Sequence, residues 1–393
     1  MARPHYRAAA FEALALYLLT GAACILVGSS MTHLMDHFGV SLAQVAAIQS
    51  AYALGRMSTV FLTGWITERF GVRTSLLLGT ALLLAFLGGI PLTHNYFVGL
   101  ALAFLGGAGM GSQDAACPVI LSAVYPNSYA SMLSAGQALF GAGCFLPPLI
   151  MSVALAADLP FYVSYYAFAV LALVMLLVLP FMKLPEMSHL ATEGGHTAHA
   201  IRLRVRWLGF ALFAVICFAY SAVVNTINLY TATFAEGLDL PAALAANLLT
   251  VYNLASMIGS LCFTAILRRT PPIKVLIGNC VIALIALGVA VWLQHPAGFF
   301  VGLAVAGFFL GVLFSVIVTL ATGLKPSHAS LAAAAVAVVS GASDTANPLI
   351  TGPLLTALGM GMAYPYTMLV LAITLAASLG FAALARPRSS ETV

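Results

Sequence analysis

Long apolar runs alternate with short polar breaks along the whole chain. Most runs contain about 20 residues or more, the length that an α-helix needs to cross a hydrocarbon core about 30 Å thick. A backbone inside a bilayer must satisfy its own hydrogen bonds, so runs of this length predict membrane-spanning helices. Turn-forming residues mark the breaks, as at Pro271-Pro272. We predict twelve spans, at 11–34, 42–67, 74–93, 97–124, 130–156, 161–183, 207–234, 242–267, 273–293, 297–323, 330–357 and 361–385.

Composition excludes most other classes of protein. Hydrophobic residues make up 62% of the 393 residues and charged residues only 7%, whereas soluble chains carry about 25% charged residues. Too few charges remain to cover a soluble enzyme, a disordered chain or a nucleic-acid binder. All six cysteines lie in apolar runs, without a Cys-x-x-Cys pair or histidines spaced for a metal site. We therefore expect no metal, no cofactor and no enzymatic activity, and the first run lacks the pattern of a cleaved signal peptide.

The basic residues predict the orientation, since cytoplasmic loops are enriched in Lys and Arg. With the N-terminus in the cytoplasm, fourteen of the fifteen basic residues lie in inside segments, and the fifteenth, Arg56, lies within a span. An even number of spans with both termini inside fits this distribution. We predict an all-α, multi-pass protein of the cell membrane, the inner membrane in a bacterium, surrounded by the lipid bilayer and monomeric.

One long polar break, at 185–206, divides the spans into six and six. We expect a six-helix bundle at 1–184, a cytoplasmic linker at 185–206 and a second six-helix bundle at 207–393. Corresponding features recur at an offset of about 200, such as Tyr52 and Tyr252, each followed by a basic inside loop. This order favours an internal duplication.

Three charged residues, Arg56, Asp114 and Asp344, lie well inside predicted spans. A charge at a helix centre costs about 2.5–3.5 kcal/mol on insertion scales, so its default interpretation is functional. Glu12 lies close enough to the inner face to reach solvent, which indicates a structural role. A carboxylate desolvated in a cavity can take a proton near neutral pH, so we predict Asp114 and Asp344 as proton-coupling residues. Two roles stay open for Arg56: it pairs with Asp114, or it holds an anionic group of the substrate.

Polar residues repeat at helical spacing on several spans and form stripes. Stripes from both halves would be unsatisfied in lipid, so we expect them to face a shared cavity near the midplane. The alternative is hydrogen bonding between packed helices. The cavity is favoured for the seventh-span stripe of Ser221, Asn225 and Asn228, whereas the two interpretations are more evenly balanced for the eleventh-span stripe of Ser340, Asp344, Asn347 and Thr351. The predicted substrate-binding residues are Gln49, Tyr52, Arg56, Gln113, Gln137, Asn225, Asn228, Tyr252 and Asn253.

The break between the second and third spans carries a recognisable signature. The string Gly64-Trp65-Ile66-Thr67-Glu68-Arg69-Phe70-Gly71-Val72-Arg73 resembles the Gly-x-x-x-Asp-Arg-x-Gly-Arg-Arg/Lys motif of major facilitator superfamily transporters, with Glu68 in place of Asp. The resemblance implies two bundles of six helices. It also implies a gating role for this loop, carried by Gly64, Glu68, Arg69 and Arg73.

Three further strings resemble the fucose–proton symporter group and its TsgA-like members. They are Ala47-Ala-Ile-Gln-Ser-Ala-Tyr52, Gln113-Asp-Ala-Ala-Cys-Pro118 and Ala245-Ala-Asn-Leu-Leu-Thr250. Where that group carries a proton-coupling Glu on the fourth span, this chain has Gln113, and its acid follows at Asp114. The group's sugar-binding acid on the first span is replaced at about Gly28–Ser29.

The preferred hypothesis is a secondary active transporter that moves a small polar, sugar-like solute together with protons by alternating access. Alternatives are an organic-anion carrier or exchanger centred on Arg56, and a multidrug exporter. A sensor without flux is the least favoured, because no large soluble domain accompanies the spans.

Overall fold

The computed structural model describes residues 6–125, 129–184, 202–203, 206–237, 240–267, 269–293, 295–324 and 329–386. Most of the linker predicted at 185–206 lies outside this range. The elements of the first half are α1 (Arg7–Ser29), α2 (Met31–Phe38), α3 (Leu42–Leu92), α4 (Tyr96–Val124), α5 (Tyr129–Ala156), α6 (Tyr162–Val178) and a 3-10 helix (Leu179–Phe181).

The second half is built from similar elements and contains the two short strands. Its elements are β1 (Arg202–Leu203), α7 (Arg206–Glu236), α8 (Ala242–Ile266), α9 (Pro272–Leu293), α10 (Pro296–Leu310), α11 (Leu313–Leu324), α12 (Ala329–Leu358), a 3-10 helix (Met360–Met362), α13 (Ala363–Leu384) and β2 (Ala385–Arg386). The strands pair antiparallel, with Arg202 opposite Arg386, so the start of α7 and the end of α13 lie side by side.

Within the described residues, nine helical segments are long and apolar enough to cross a membrane. A tenth is added if α2 and the first part of α3 count as one span, which bends by 108° at their junction. The all-helical architecture is therefore confirmed. Twelve spans and cytoplasmic termini stay predictions.

The element α3 contains two spans that follow each other without an intervening loop. The helix turns back at Gly71, whose φ of +85° is strained for any residue with a Cβ. Two residues on, Nη1 and Nη2 of Arg73 donate to the carbonyl oxygens of Pro180 and Met182, at 2.7 and 2.6 Å. This contact joins the start of the second α3 span to the end of α6.

The helix ends define two ends of the molecule. At one, which we call the basic end, lie Arg7, Arg73 and the paired strands. At the other, the distal end, α2 meets α7: Thr32 Oγ1 donates to Thr233 Oγ1 at 3.4 Å. Nearby on α1, a Cβ on Gly28 would run into the backbone of Asn228 of α7. The two halves therefore touch directly at the distal end.

The same packing contacts occur twice, 200 residues apart. Gly107 of α4 lies against the carbonyl of Tyr52, and Gly307 of α10 lies against the carbonyl of Tyr252. The contacts between halves repeat too: a Cβ on Gly341 would lie 3.3 Å from Met57, and one on Gly141 would lie 3.4 Å from Met257. The structure thus supports the predicted internal duplication and gives its register.

Candidate functional site

Two glycines let α4 approach the first span of α3 closely. A Cβ on Gly107 would lie 2.7 Å from the carbonyl carbon of Tyr52, and one on Gly111 would lie 2.9 Å from the carbonyl oxygen of Arg56. Neither separation leaves room for a side chain, so glycine permits the contact. Side chains on the two helices are thereby brought within reach of each other.

Arg56 and Asp114 form an ion pair in this contact. Nε of Arg56 donates to Oδ2 of Asp114 at 2.8 Å. The two side chains remain 37% and 30% exposed, so the pair borders open space. Of the two roles predicted for Arg56, this structure shows the pairing with Asp114. The terminal nitrogens of Arg56 make no hydrogen bond to the part of the chain that the structure describes.

The second half contributes another carboxylate to the same region. The contact of Gly341 with Met57 packs α12 against α3, and Asp344 follows one turn later on α12. Its charge lies within electrostatic range of Arg56. Cys24 on α1 is within range of both, as well as of Asp114. Four helices from both halves therefore surround three charged side chains.

Amide side chains of the second half are linked by hydrogen bonds. Nδ2 of Asn253 donates to Oδ1 of Asn228 at 3.0 Å, and Nδ2 of Asn347 donates to Oδ1 of Asn225 at 3.1 Å. Asn225 and Asn228 are half-buried, whereas Asn253 and Asn347 are buried. The seventh-span stripe therefore keeps polar surface that a solute can contact.

The eleventh-span stripe serves helix packing over most of its length. Besides its bond to Asn225, Asn347 donates to Thr226 at 2.9 Å and accepts from the hydroxyl of Tyr366 at 2.8 Å. One turn on, Thr351 and Tyr230 share a bond of 2.9 Å. These contacts correspond to the alternative of hydrogen bonding between helices. Asp344 differs, since it makes no hydrogen bond or ion pair within the described residues.

Three predicted binding residues are buried away from this space in the present conformation. Gln113 donates to Thr80 at 3.2 Å, between α4 and the second α3 span. The hydroxyl of Tyr52 donates to the sulfur of Met110 at 3.3 Å. Gln113, Tyr52 and Tyr252 are each only 2% exposed. The prediction that their side chains line the cavity therefore differs from the structure.

The two other predicted glutamines have different surroundings. Gln49 is buried, and its Oε1 has no hydrogen-bond partner among the described residues. Gln137 is exposed on α5, one turn from Gly141, which faces Met257 of α8. Gln137 therefore lies near the second contact between the halves.

Sequence reasoning overlooked the burial of Glu12 and the position of Cys24. Glu12 is only 5% exposed, and its Oε1 has no partner within the described residues, so it is more buried than its position near the end of the first span indicates. It lies within electrostatic range of Cys117 on α4. No sequence signal distinguishes Cys24 from the other five cysteines, because its proximity to Arg56 depends on how α1 packs.

Comparison with known protein families assigns the chain to one of them. The family model described as Major Facilitator Superfamily matches residues 13–346, most of the chain. The chain belongs to the major facilitator superfamily. It is accordingly a multi-pass membrane transporter of this superfamily and not an enzyme.

Relatives and solved structures agree with the membership. The chain is 22% identical to the MFS-type transporter YfkL of Bacillus subtilis, over 86% of each chain. It is 22% identical to the TsgA homolog of Yersinia pestis, over 77% of each. A D-xylose-proton symporter superposes with a TM-score of 0.79 at 14% identity, covering 98% of this chain and 99% of that one. The Escherichia coli fucose:proton symporter FucP superposes at 0.58 and 18% identity, covering 96% and 99%.

The predicted superfamily signature lies on α3, on both sides of the turn at Gly71. For Gly64 and Glu68 only the helical backbone is described, so the gating contact predicted for Glu68 lies outside the described side chains. Arg69 is exposed, and its guanidinium lies 5.9 Å from the ring centre of Phe70. Arg73 bonds to the end of α6, within the first half.

Proposed function

We propose that this transporter carries a small polar, sugar-like solute across the membrane by alternating access, in symport with protons. The ion pair of Arg56 and Asp114, open on one side and faced by Asp344, carries this proposal. A charged side chain at membrane depth is energetically costly, so the charged residues found there mark substrate or ion pathways. We also propose that the two six-helix halves are the moving units and that the basic end faces the cytoplasm.

The half-buried amides support a neutral polar solute. Asn225 and Asn228 offer half-buried amide groups, and Asn225 bonds to Asn347, which lies one turn beyond Asp344 on α12. Amides can donate to and accept from hydroxyl groups. An organic anion would have to compete with Asp114 for Arg56 and would meet Asp344 nearby. The similarity in fold to D-xylose and fucose symporters agrees with a sugar-like solute.

Reconstitution into proteoliposomes tests the proposal. Purified protein is first screened by thermal shift against sugars, polyols, nucleosides, organic acids and cationic drugs, since a ligand of the folded state raises its melting temperature. Ligands that bind are then supplied outside vesicles with an alkaline interior. We expect a neutral polyhydroxy solute to accumulate and a protonophore to abolish its accumulation. Accumulation of an organic anion without proton movement would contradict the proposal and favour the anion carrier.

Asn225→Ala tests the solute site. We expect about a tenfold loss of affinity, equivalent to roughly 1.4 kcal/mol and typical of one lost hydrogen bond. Binding is measured by titration calorimetry and melting temperature by tryptophan fluorescence. Asn279→Ala is the matched control, because Asn279 is a buried amide that donates to Phe309 at 2.8 Å between α9 and α10. Equal losses in both variants would place the solute elsewhere.

A further inference from the structure

Two of the contacts between the halves, α3 with α12 and α8 with α5, match in packing but differ in charge. Met57 meets Gly341 at the α3–α12 contact, and Met257 meets Gly141 at the α8–α5 contact. The two methionines are 200 positions apart in the sequence, and so are the two glycines. The α3–α12 contact has Arg56, Asp114 and Asp344 around it. At the corresponding positions near the α8–α5 contact stand Ser256, Phe314 and Cys144. Ionisable carboxylates are therefore confined to one of two otherwise equivalent contacts.

The two carboxylates near Arg56 are placed differently with respect to the proposed movement of one half against the other. Asp114 is bonded to Arg56 within the first half, so a rigid-body movement of the halves leaves that bond intact. Asp344 belongs to the second half, one turn beyond the contact of Gly341 with Met57, and its charge lies within electrostatic range of Arg56 across that contact. Its attraction to Arg56 therefore changes when the halves move. Protonation at this position can act directly on the conformational equilibrium.

The groups around Asp344 come from three neighbouring helices. Among the described residues, those within electrostatic range are Arg56 on α3, Cys24 on α1 and Tyr220 on α7. Only Arg56 is a cation. Ionised Asp344 thus has one counter-charge, which it shares with Asp114, and the three side chains sum to one negative charge. A proton on Asp344 makes the sum zero.

We propose that Asp344 carries the coupled proton, while Asp114 is a positioning residue that orients Arg56. This assignment rests on the proposed function. Ionised Asp344 attracts Arg56 and holds α12 against α3. A proton taken from the water on one side forms an O–H bond on the carboxylate and removes the attraction. When the cavity opens to the other side, that O–H bond breaks and the proton returns to water.

The proton itself is the probe in the test, so no solute is needed. Spin labels are placed at Leu159 and Leu358, which are exposed near the distal end of the first and second half, in a chain whose six native cysteines are replaced by alanine. Inter-label distances are measured in lipid between pH 5 and pH 8. We expect a pH-dependent change in the parent chain, its loss in Asp344→Asn and its retention in Asp114→Asn.

Matched variants separate this role from effects on folding. Asp344→Glu retains a carboxylate and should restore the response with a shifted midpoint. Asp36→Asn alters an exposed acid of α2 and should respond like the parent. Replacing Cys144 by aspartate instead of alanine, together with Asp344→Asn, places a carboxylate near the other contact, where Ser256 stands in the position of Arg56, and should restore nothing. Melting temperatures establish that each variant is folded.

Several results would overturn the assignment. They are a parent chain without a pH response, a response abolished by Asp114→Asn but kept by Asp344→Asn, and equal effects of both changes. Restoration by Cys144→Asp would also overturn it, because the charge would then be effective at either contact. Solute uptake by the parent chain is measured separately, so transport of a solute without a pH-dependent conformation rejects the assignment and leaves the transport proposal standing.

Discussion

At the scale of single residues, glycine determines how closely α3 and α4 can approach. A methyl group on Gly107 would lie 2.9 Å from the amide nitrogen of Arg56, in addition to its clash with Tyr52. Both neighbours are backbone atoms in a helix and cannot turn aside as a flexible side chain would. The ion pair of Arg56 with Asp114 therefore depends on a residue that has no polar group of its own.

We predict that Gly107→Ala destabilises the protein by about 1–3 kcal/mol, the usual cost of overpacking. Pushing α4 away from α3 should also weaken solute binding. The control is Gly88→Ala, because a Cβ on Gly88 meets nothing within 4 Å and alanine favours the helix by roughly 0.5–1 kcal/mol. Melting temperatures of the two variants in detergent give the comparison. A Gly107→Ala protein as stable as Gly88→Ala would contradict this account of the contact.

The positions of the charged residues predict a possible ion pair but not its neighbours. The sequence predicts Arg56 and Asp114 inside spans, with pairing as one of two roles for Arg56, and the structure pairs them. The sequence also predicts Gln113 beside them, whereas it bonds to Thr80. Adjacent residues on a helix point about 100° apart, so only one of Gln113 and Asp114 can face Arg56. Sequence alone does not fix the rotation of α4 about its axis.

At the scale of elements, Arg73 of α3 forms hydrogen bonds to the segment that directly follows α6. Its two terminal nitrogens bond to the carbonyl groups of Pro180 and Met182, two positions apart at the 3-10 helix that directly follows α6. The last carbonyls of a helix lack partners within the helix. A planar guanidinium can reach two of them at once, whereas the lysine ammonium is a single point charge.

Removing this contact should loosen the end of α6. We predict that Arg73→Ala speeds amide hydrogen exchange at 176–184, because hydrogen bonds to a charged group contribute about 1.5–3 kcal/mol each. Arg73→Lys should restore protection only in part. Exchange is followed by mass spectrometry, with Arg7→Ala as the control, since it removes the same charge from the basic end without touching α6. Unchanged exchange in Arg73→Ala would show that α6 is held by other contacts.

The lengths of the apolar runs predict where the helices lie, but they do not predict how consecutive helices are connected. The sequence predicts separate spans at 42–67 and 74–93, and the structure has one element, Leu42–Leu92, that reverses at Gly71. The glycine was visible in the signature string. Its positive φ was not, because a glycine in a helix and one in a turn look the same in sequence.

At the scale of the whole molecule, the duplication is clearer in packing than in sequence. The strings at 141–150 and 341–350 share five of ten residues, a signal that sequence reasoning overlooked. The offset of about 200 was predicted from a few single residues. The repeated contacts of Met57 with Gly341 and of Met257 with Gly141 give its register. The register of the duplication is read from which residues are in contact, and a single sequence does not give those contacts.

The proposed rocking of the halves would require the contact at the distal end to open. We predict that a disulfide between cysteines at 32 and 233 blocks transport, because it ties α2 to α7 where the hydroxyl oxygens of Thr32 and Thr233 lie 3.4 Å apart. Thr32→Cys and Thr233→Cys are combined in a chain without the native cysteines, oxidised in proteoliposomes and assayed for solute uptake. Reduction with dithiothreitol should restore uptake.

A cross-link within one half is the matched control. Ser75 and Ser112 lie on α3 and α4, with their hydroxyl oxygens 2.9 Å apart, so a disulfide between cysteines at these positions joins helices that move together. If the halves move as rigid units, this second cross-link leaves uptake unchanged while the first abolishes it. Full uptake with the α2–α7 cross-link formed would mean that the distal end need not open. Loss of uptake with both cross-links would mean that α3 and α4 also move within their own half, so that the Arg56–Asp114 bond is not preserved through the cycle.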